Sequence, residues 1–289
     1  MRGTAVVLID PVGMAADPYR VVAGDASVVH ADDLGVTRGD GVVEILRAVG
    51  PDVRRLDAHL DRLALFAAVL DLPEPHRAGY AAAIRAGLAA AQPGETDTSV
   101  IRAVLSRGRD TTAPGAPTPT GWVTVERHVP EVPAPGIRVE TLDRGVHADA
   151  GRTAPWLLTA ARTLAVAAER GAVQEARRRG AEHPLWVSTD DHVLDGVGCA
   201  VVVRVGGVWV SPSPAEAVVD DASVEALFAG LAARGEPTER RAVPLAELRR
   251  ADAAWLVSAV ELARPIAVLD DALLPRAAEL DDLLTGILR

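Results

Sequence analysis

The chain has 289 residues, of which 49% are hydrophobic, 24% charged and only 3% aromatic, with a formal net charge of −10. This length predicts one large or two medium domains whose core is built from Ala, Val and Leu, and the negative charge argues against nucleic acid or an anionic membrane as a partner. No apolar run approaches the roughly 18 residues of a membrane helix, the opening run is too short for a signal peptide, and the single Cys199 excludes an internal disulfide, so we expect a cytoplasmic protein.

The first half predicts a sheet with two helices. Short apolar and β-branched runs predict strands at residues 4–10, 19–24, 42–46, 100–106 and 122–127. Apolar residues at helical spacing predict helices over 56–70, before Pro73, and over 77–91. The segment VPEVPAPG is rich in rigid and turn-forming residues, so we predict an N-terminal domain over 1–129, a linker over 130–136 and a C-terminal domain over 137–289.

The second half predicts alternating helices and strands. A long helix is expected over 159–179, because an arginine run followed by Gly180 is typical of a helix C-terminus. The dipeptide Gly206-Gly207 predicts a hairpin turn between two strands. The other predicted elements are strands at 185–188, 200–205, 208–210 and 253–258 and helices at 223–233 and 276–288.

Lysine is absent from the chain, since all 30 of its basic residues are arginine. A Schiff base needs an amine that can lose its proton, and a guanidinium with a pKa above about 12 cannot supply one. The Ala- and Arg-rich composition explains the absence of lysine without a functional cause. Whatever the cause, no side chain of this protein can form a Schiff base. Only the amino terminus could form such a bond.

Several segments, in their order and spacing, resemble the class IV aminotransferase-like enzymes that use pyridoxal phosphate (PLP), and most closely the aminodeoxychorismate lyases. The segments are HADDLGVTRGDGVVEILR at 30–47, LDAHLDRLALFAAVLDL at 56–72, IRAVLSRGR at 101–109, TLDRG at 141–145, APWLLTAARTL at 154–164, LWVSTDDHVLDG at 185–196 and WLVSAVELA at 255–263. The resemblance implies a two-domain α/β (α+β) fold of the D-amino-acid aminotransferase type, a homodimer, and PLP-dependent elimination of pyruvate or transamination.

The residues that would carry PLP chemistry are where this chain departs from the family it resembles. The lysine of the relatives' Ala-Lys-Thr-Leu segment is Arg162 here. The glutamate that pairs with the pyridinium nitrogen in their Val-Leu-Glu-Gly segment is the shorter Asp195. The resemblance therefore predicts that neither the covalent bond nor the direct contact to the ring nitrogen is kept.

The phosphate site implied by the resemblance is altered as well. Where relatives begin a helix with Gly-Thr-Thr, this chain has Asp220 and Asp221, and Glu261 replaces a phosphate-binding threonine. A helix N-terminus attracts phosphate, and a like-charge pair at 4 Å costs up to ~4 kcal/mol at an effective dielectric of 20. Only Arg62 remains as a phosphate anchor, so we predict a protein without PLP or any other cofactor.

The substrate side retains candidates. Arg102, Arg107 and Arg109 cluster on one strand and its turn, where the relatives' arginines meet substrate carboxylates, and a guanidinium suits that bidentate role. A solvated arginine-rich edge is the alternative. His192 and Cys199 are further candidates for substrate binding, against the simpler interpretations of a surface histidine and a small core residue.

Arg162 would project into the former cofactor cavity, where a buried guanidinium needs a carboxylate partner. One hypothesis is a structural ion-pair network that fills the cavity. The other is an anion site in which Arg162 binds substrate and Asp195 or Glu261 moves the proton. No group of residues has metal-ligand spacing.

Three functions stay open. The first is a cofactor-independent lyase or isomerase acting on a small carboxylated, chorismate-like metabolite, because loss of an enolpyruvyl group with aromatisation needs only a proton acceptor, a proton donor and anion stabilisation. The second is a non-catalytic ligand-binding or partner subunit. The third is a PLP-dependent aminodeoxychorismate lyase or aminotransferase working without the usual lysine.

Overall fold

The computed structural model describes residues 4–14, 17–109, 118–128 and 136–289. Two compact units are present, one formed by Met1–Pro130 with Ala161–Val166 and the other by Glu131–Ala160 with Ala167–Arg289. The predicted linker lies outside the described residues except for Gly136, and the domain bounds drawn from the sequence stay a prediction. Within the described residues, no helix combines the length and the apolar character that a membrane span requires.

The first unit is an antiparallel sheet with two long helices. Its strands are β1 (Thr4–Ile9), β2 (Tyr19–Val22), β3 (Gly41–Val49), β4 (Asp52–Val53), β5 (Thr98–Arg109) and β6 (Thr118–His128). Its helices are α1 (Leu34–Thr37), α2 (Leu56–Val69) and α3 (Arg77–Ala91). The order across the sheet is β2-β1-β6-β5-β3-β4, and the long pairs β3–β5 and β5–β6 give the sheet its continuous centre.

Helices α2 and α3 lie on this sheet because each presents an apolar face at helical spacing. Leu63 and Phe66 of α2 and Tyr80 and Ile84 of α3 are fully buried. The buried Tyr80 hydroxyl donates a hydrogen bond to the Val104 carbonyl of β5 at 2.8 Å, and burial raises the pKa of this phenol. The two predicted helices are therefore confirmed.

The segment Ala161–Val166 groups with the first unit instead of continuing a helix. The Val43 N–H of β3 donates to the Arg162 carbonyl at 3.0 Å, and the Leu164 N–H donates to the Gly41 carbonyl at 2.9 Å. The predicted helix over 159–179 is thus wrong over its first eight residues, because their backbone groups pair with a strand far away in sequence. Helix α5 begins only at Ala167.

The second unit is a larger mixed sheet with helices. Its strands are β7 (Ile137–Asp143), β8 (His183–Val187), β9 (His192–Gly196), β10 (Ala200–Val205), β11 (Val208–Ser211), β12 (Thr238–Arg240), β13 (Val243–Pro244), β14 (Ala253–Ser258), β15 (Leu262–Leu269) and β16 (Ala272–Leu273). Its helices are α4 (Ala150–Thr153), a 3₁₀ turn (Pro155–Leu157), α5 (Ala167–Arg178), α6 (Ala222–Ala232), α7 (Leu245–Leu248) and α8 (Ala278–Leu288). The sheet order is β12-β11-β10-β14-β15-β7-β8-β9-β13, with β16 beside β15.

Strand β10 shows why this sheet is buried on both faces. Val201 and Val203 belong to one apolar cluster and Val202 to another, in which Trp209 and Trp255 pack with ring centroids 5.3 Å apart. A continuous valine run is typical of a strand that is covered on both sides. The predicted hairpin is confirmed, since β10 and β11 pair antiparallel with Val205 opposite Val208. Sequence patterns did not predict β7 or β15, although the molecule is the mixed α+β fold expected.

Candidate functional site

Asp195 is a buried carboxylate in the second unit, on β9, and is only 9% exposed. Arg144, which follows β7, donates from Nη1 to Asp195 Oδ1 at 3.2 Å and to the Ala217 carbonyl at 2.8 Å. The Val219 N–H lies 3.5 Å from Asp195 Oδ2. A buried carboxylate needs such partners.

Asp195 lines a shallow pocket that is partly open to solvent and has a cavity volume of about 10 Å³, enough for about one water molecule. Most of the wall is apolar, and Asp195, Ser211 and Arg240 provide its polar side chains. An apolar wall with a few convergent polar groups is the lining typical of small-molecule sites, which are larger, at roughly 300–1,000 Å³. The complete lining is Leu194, Asp195, Ala200, Val201, Ser211, Pro212, Val218, Val219 and Arg240.

Helix α6 begins three residues after Val219, which lines this pocket. The carboxylate of Asp221 caps the first turn of the helix. Asp221 is the N-cap residue, is 6% exposed, and its Oδ1 accepts a hydrogen bond from the Ser223 N–H at 2.8 Å. This is the favourable role of aspartate at a helix N-terminus. The carboxylate also uses a donor that an external anion would otherwise bind.

Arg240 of β12 brings a positive charge to the same pocket. Its Nη2 atom donates to Asp220 Oδ1 at 2.7 Å, and its guanidinium lies 6.0 Å from the centre of the Phe228 ring. Burial lowers the pKa of Arg240, and the charge of Asp220 opposes that shift. Of the two aspartates predicted to repel an anion, Asp221 therefore caps the helix and Asp220 forms an ion pair with Arg240.

The first unit contains a separate buried cluster around Arg62 on α2. His59 Nδ1 and Glu44 Oε1 are 2.6 Å apart, and Arg62 Nε lies 3.5 Å from the same oxygen. The Arg62 guanidinium stacks over the Phe66 ring at 5.1 Å. Among the described residues, Arg62 Nη2 is buried without a hydrogen-bond partner, so this cation keeps one unused donor.

The three arginines predicted to bind substrate each pair with a different carboxylate. Arg102 and Glu126 form an exposed ion pair at 3.0 Å. Arg107 Nε donates to Asp40 at 2.7 Å and its guanidinium also reaches carbonyls of the loop after α2. Arg109 binds Asp32 through two nitrogen atoms, which raises the pKa of the guanidinium and lowers that of the carboxyl group. Their role in substrate binding stays a prediction.

The three residues predicted to be catalytic lie in different environments. Arg162 belongs to the first unit and its backbone pairs with β3, whereas Asp195 and Glu261 belong to the second. Glu261 is exposed in the turn between β14 and β15, and its N–H donates to Ser258 Oγ at 3.0 Å. Of the two predicted carboxylates, Asp195 alone is buried beside a pocket.

His192 is the first residue of β9, and Cys199 lies just after the end of this strand. His192 is half-buried on β9, with Nδ1 3.2 Å from Asp190 Oδ2. Cys199 is half-buried just before β10, with Sγ 3.8 Å from Nε2 of His183. Among the described residues, no three His, Cys, Asp or Glu side chains are grouped to hold a metal ion.

Sequence reasoning gave no role to Arg144, Arg240 or His183. Arg144 lies in the TLDRG segment, which carried part of the resemblance, and this was an available signal. Arg240 and His183 carry no local signal, because the residues they contact are brought near only by the pairing of strands.

Comparison with known proteins places this fold among the fold-type IV transaminases. A fold IV-transaminase from Curtobacterium pusillum superposes with a TM-score of 0.91 at 36% identity, covering 99% of each chain. A hypothetical aminotransferase from Mycobacterium tuberculosis, in its PLP-bound form, superposes with a TM-score of 0.87 at 32% identity, covering 98% of each chain. These values confirm the predicted fold class.

The family follows from the sequence match. The family described as Amino-transferase class IV matches residues 41–269. A bifunctional aminodeoxychorismate lyase / D-amino acid transaminase from Mycobacterium tuberculosis is 34% identical over 263 residues, which are 86% of this chain and 88% of that protein. The chain therefore belongs to the class IV aminotransferase family.

Proposed function

We propose that this protein is an aminodeoxychorismate lyase-like member of the family that acts on a small carboxylate metabolite without covalently held PLP. The observation that carries the proposal is the Asp195 pocket, in which a buried carboxylate held by Arg144 meets the guanidinium group of Arg240 and apolar walls. The substrate class is suggested by the Mycobacterium tuberculosis relative, a bifunctional aminodeoxychorismate lyase / D-amino acid transaminase.

Two features of this chain argue against covalently held PLP. A covalent bond to the aldehyde needs an amine, and the chain contains no lysine. The phosphate of such a cofactor favours unoccupied N–H groups at a helix start, but the Asp221 carboxylate already accepts the Ser223 N–H there. Both features argue in the same direction, and each is independent of the other.

Asp195 is the residue that we infer to accept a proton. Arg144 holds the carboxylate in one orientation, and a carboxylate fixed in this way can act as a proton acceptor. A lyase reaction of this kind would take a ring proton, break the bond from ring carbon to enolpyruvyl oxygen, and protonate the departing enolate. Arg240 would stabilise negative charge on the ligand, since a guanidinium suits a carboxylate. Arg162 and Glu261 remain candidates for the same two roles.

A PLP-dependent lyase or transaminase is the second candidate, and specific observations favour it. One structure with this fold is of a PLP-bound aminotransferase, and another from the same organism is of a form with α-ketoglutarate and PMP bound. In addition, the buried Arg62 has an unused donor, as a phosphate anchor would.

The experiment assays purified protein for pyruvate release from aminodeoxychorismate and for D-alanine transamination, each with and without added PLP. We expect pyruvate release that PLP does not increase, and a marked loss of activity in Asp195→Asn. Glu261→Gln is the comparison variant, because it removes the other candidate carboxylate. Gel filtration of the samples that received PLP, followed by an absorbance spectrum, reports whether PLP stays bound to the protein.

The outcomes separate the candidates. Activity that appears only with PLP, or transamination of D-alanine, would replace the first proposal with the second. Binding of carboxylate ligands without turnover in any condition would leave a non-catalytic ligand-binding protein. An equal loss in Asp195→Asn and Glu261→Gln would remove the specific role of Asp195.

A further inference from the structure

Cys199 and His183 form a side-chain pair in the second unit that the proposed function does not use. Cys199 stands between β9 and β10, and His183 is the first residue of β8. The distance from Cys199 Sγ to His183 Nε2 is 3.8 Å, within hydrogen-bonding range for sulfur. A thiol beside an imidazole is the basic arrangement of an activated sulfur nucleophile.

The hydrogen bonding of His183 orients the ring toward the thiol. Its Nδ1 atom lies 2.8 Å from the Pro184 carbonyl oxygen. A carbonyl can only accept, so the Pro184 contact favours the tautomer that carries the proton on Nδ1 and leaves the lone pair on Nε2, with the Val197 carbonyl as a second acceptor beside the ring. The thiol therefore donates to Nε2, and that atom is placed to take the sulfur's proton.

The charge environment keeps His183 available as a base. Burial lowers the pKa of the imidazole, and the nearby guanidinium of Arg264 lowers it further. The carbonyls of Pro184 and Val197 and the carboxylate of Glu261 oppose this shift. A lowered pKa means that the ring is neutral at pH 7, and a neutral imidazole is the form that accepts a proton.

The two glycines near Cys199 differ in the space around them: Gly196 is in close contact with the cysteine–histidine pair, whereas Gly198 faces solvent. A Cβ atom added to Gly196 would lie 2.5 Å from Cys199 Sγ and 3.1 Å from His183 Cε1, so only glycine leaves room for the pair. Gly198, next to the cysteine, is exposed, has φ +73°, and has nothing within 4 Å of such an added atom. Cys199 itself is only half-buried, so part of this residue contacts solvent.

We propose that Cys199 and His183 form a thiol-exchange site that reacts with small-molecule disulfides. The sulfur attacks one sulfur of the disulfide, its proton moves to His183 Nε2, and the S–S bond of the reagent breaks. A mixed disulfide at Cys199 and one free small thiol are formed, and the departing thiolate takes up a proton. The site is independent of the proposed lyase function.

The test uses the full chain, in which Cys199 is the only cysteine, so every thiol signal comes from this residue. Rates of reaction with 5,5′-dithiobis(2-nitrobenzoate) and with iodoacetamide are measured from pH 5.5 to 9, on native protein and in urea. We expect the native rate to rise with a midpoint about one pH unit or more below that of the unfolded chain. An equal midpoint, or a native thiol that does not react, would overturn the proposal.

Variants identify the base. His183→Gln should slow the native reaction at pH 7 by about tenfold or more, because general-base assistance is lost. His147→Gln is the matched control, since this exposed histidine of the same unit contacts Asp149 and Asp190 and should change nothing. If His183→Gln fails to fold by circular dichroism, the native pH profile alone decides. Cys199→Ser must abolish labelling, and an undiminished rate in folded His183→Gln refutes activation by His183.

Discussion

At the scale of single residues, the arginine ion pairs of this protein differ in how much of their side chains is exposed to solvent. The Arg144 and Asp195 side chains are 22% and 13% exposed, whereas those of Arg102 and Glu126 are 42% and 46% exposed. Removing one partner of a buried ion pair leaves an unpaired charge in the protein interior, which lowers stability. In an exposed pair the remaining charge is solvated by water, so little stability is lost. The two pairs therefore serve as test and control in one molecule.

Arg144→Ala should lower the free energy of unfolding by roughly 2–3 kcal/mol, because the Asp195 carboxylate loses its cation in a low-dielectric environment. Arg102→Ala should cost at most about 1 kcal/mol. Urea denaturation followed by circular dichroism measures both. Equal values for the two variants would mean that Asp195 does not depend on Arg144 for its burial.

Arg162 is the residue at which the resemblance places a lysine. Arg162→Lys alone should not produce tight PLP binding, since the carboxylate at the start of α6 remains. Fluorescence titration with PLP, followed by borohydride reduction, measures affinity and adduct together. Arg162→Lys/Asp221→Ser is the comparison, because serine keeps the helix cap while removing the negative charge. Submicromolar affinity in the single variant would show that Asp221 has little effect.

At the scale of elements, a glycine contributes to stability on helix α3 but lowers it on helix α5. Gly87 of α3 lies against the sheet, and a Cβ atom added there would come within 2.8 Å of Val125 Cγ2 and 3.3 Å of Val7 Cγ2. Gly171 of α5 is exposed and has nothing within 4 Å of an added Cβ. Close packing of α3 onto the sheet requires the first glycine, whereas the second only costs helix stability.

Gly87→Ala should therefore destabilise the protein by about 1–3 kcal/mol, because valine methyl groups cannot move away without strain. Gly171→Ala should stabilise it by about 0.5–1 kcal/mol, since alanine loses less backbone entropy in a helix. Both free energies come from urea unfolding curves of the two variants. A stabilised Gly87→Ala protein would show that α3 can move away from β1 and β6.

At the scale of the whole molecule, exposed apolar side chains favour self-association. Trp156 and Leu157 of the 3₁₀ turn are 74% and 47% exposed, although only 3% of the chain is aromatic. Large exposed apolar side chains in clusters are typical of interaction surfaces. We therefore keep the homodimer as a proposal that rests on this surface and on the family.

Light scattering at micromolar concentration should give a mass twice the 30.2 kDa of one chain. Trp156→Glu should shift the protein toward the monomer mass, because a buried charge at an interface is costly. Tyr19→Glu, at a side chain that is 38% exposed on edge strand β2, serves as the surface control. A monomeric wild-type protein would contradict the dimer, and an unchanged Trp156→Glu dimer would exclude this surface.

The sequence by itself determined features that depend on composition and local periodicity. Helices α2 and α3 were predictable because their apolar residues recur at the helical period, and the β10–β11 hairpin because two glycines suit its turn. The lack of lysine and the single cysteine are equally local facts, and they limit the covalent chemistry open to this chain whatever fold it adopts.

Tertiary structure alone decided where long-range partners meet. Residues 161–166 follow a helical pattern, yet their backbone groups pair with β3, more than a hundred residues earlier. Arg144 reaches Asp195 across 51 positions, and Arg240 meets Asp220 because β12 returns beside β11 near the start of α6. Periodicity reports which face of an element is apolar, but the partner of a buried charge depends on strand order, which no local pattern contains.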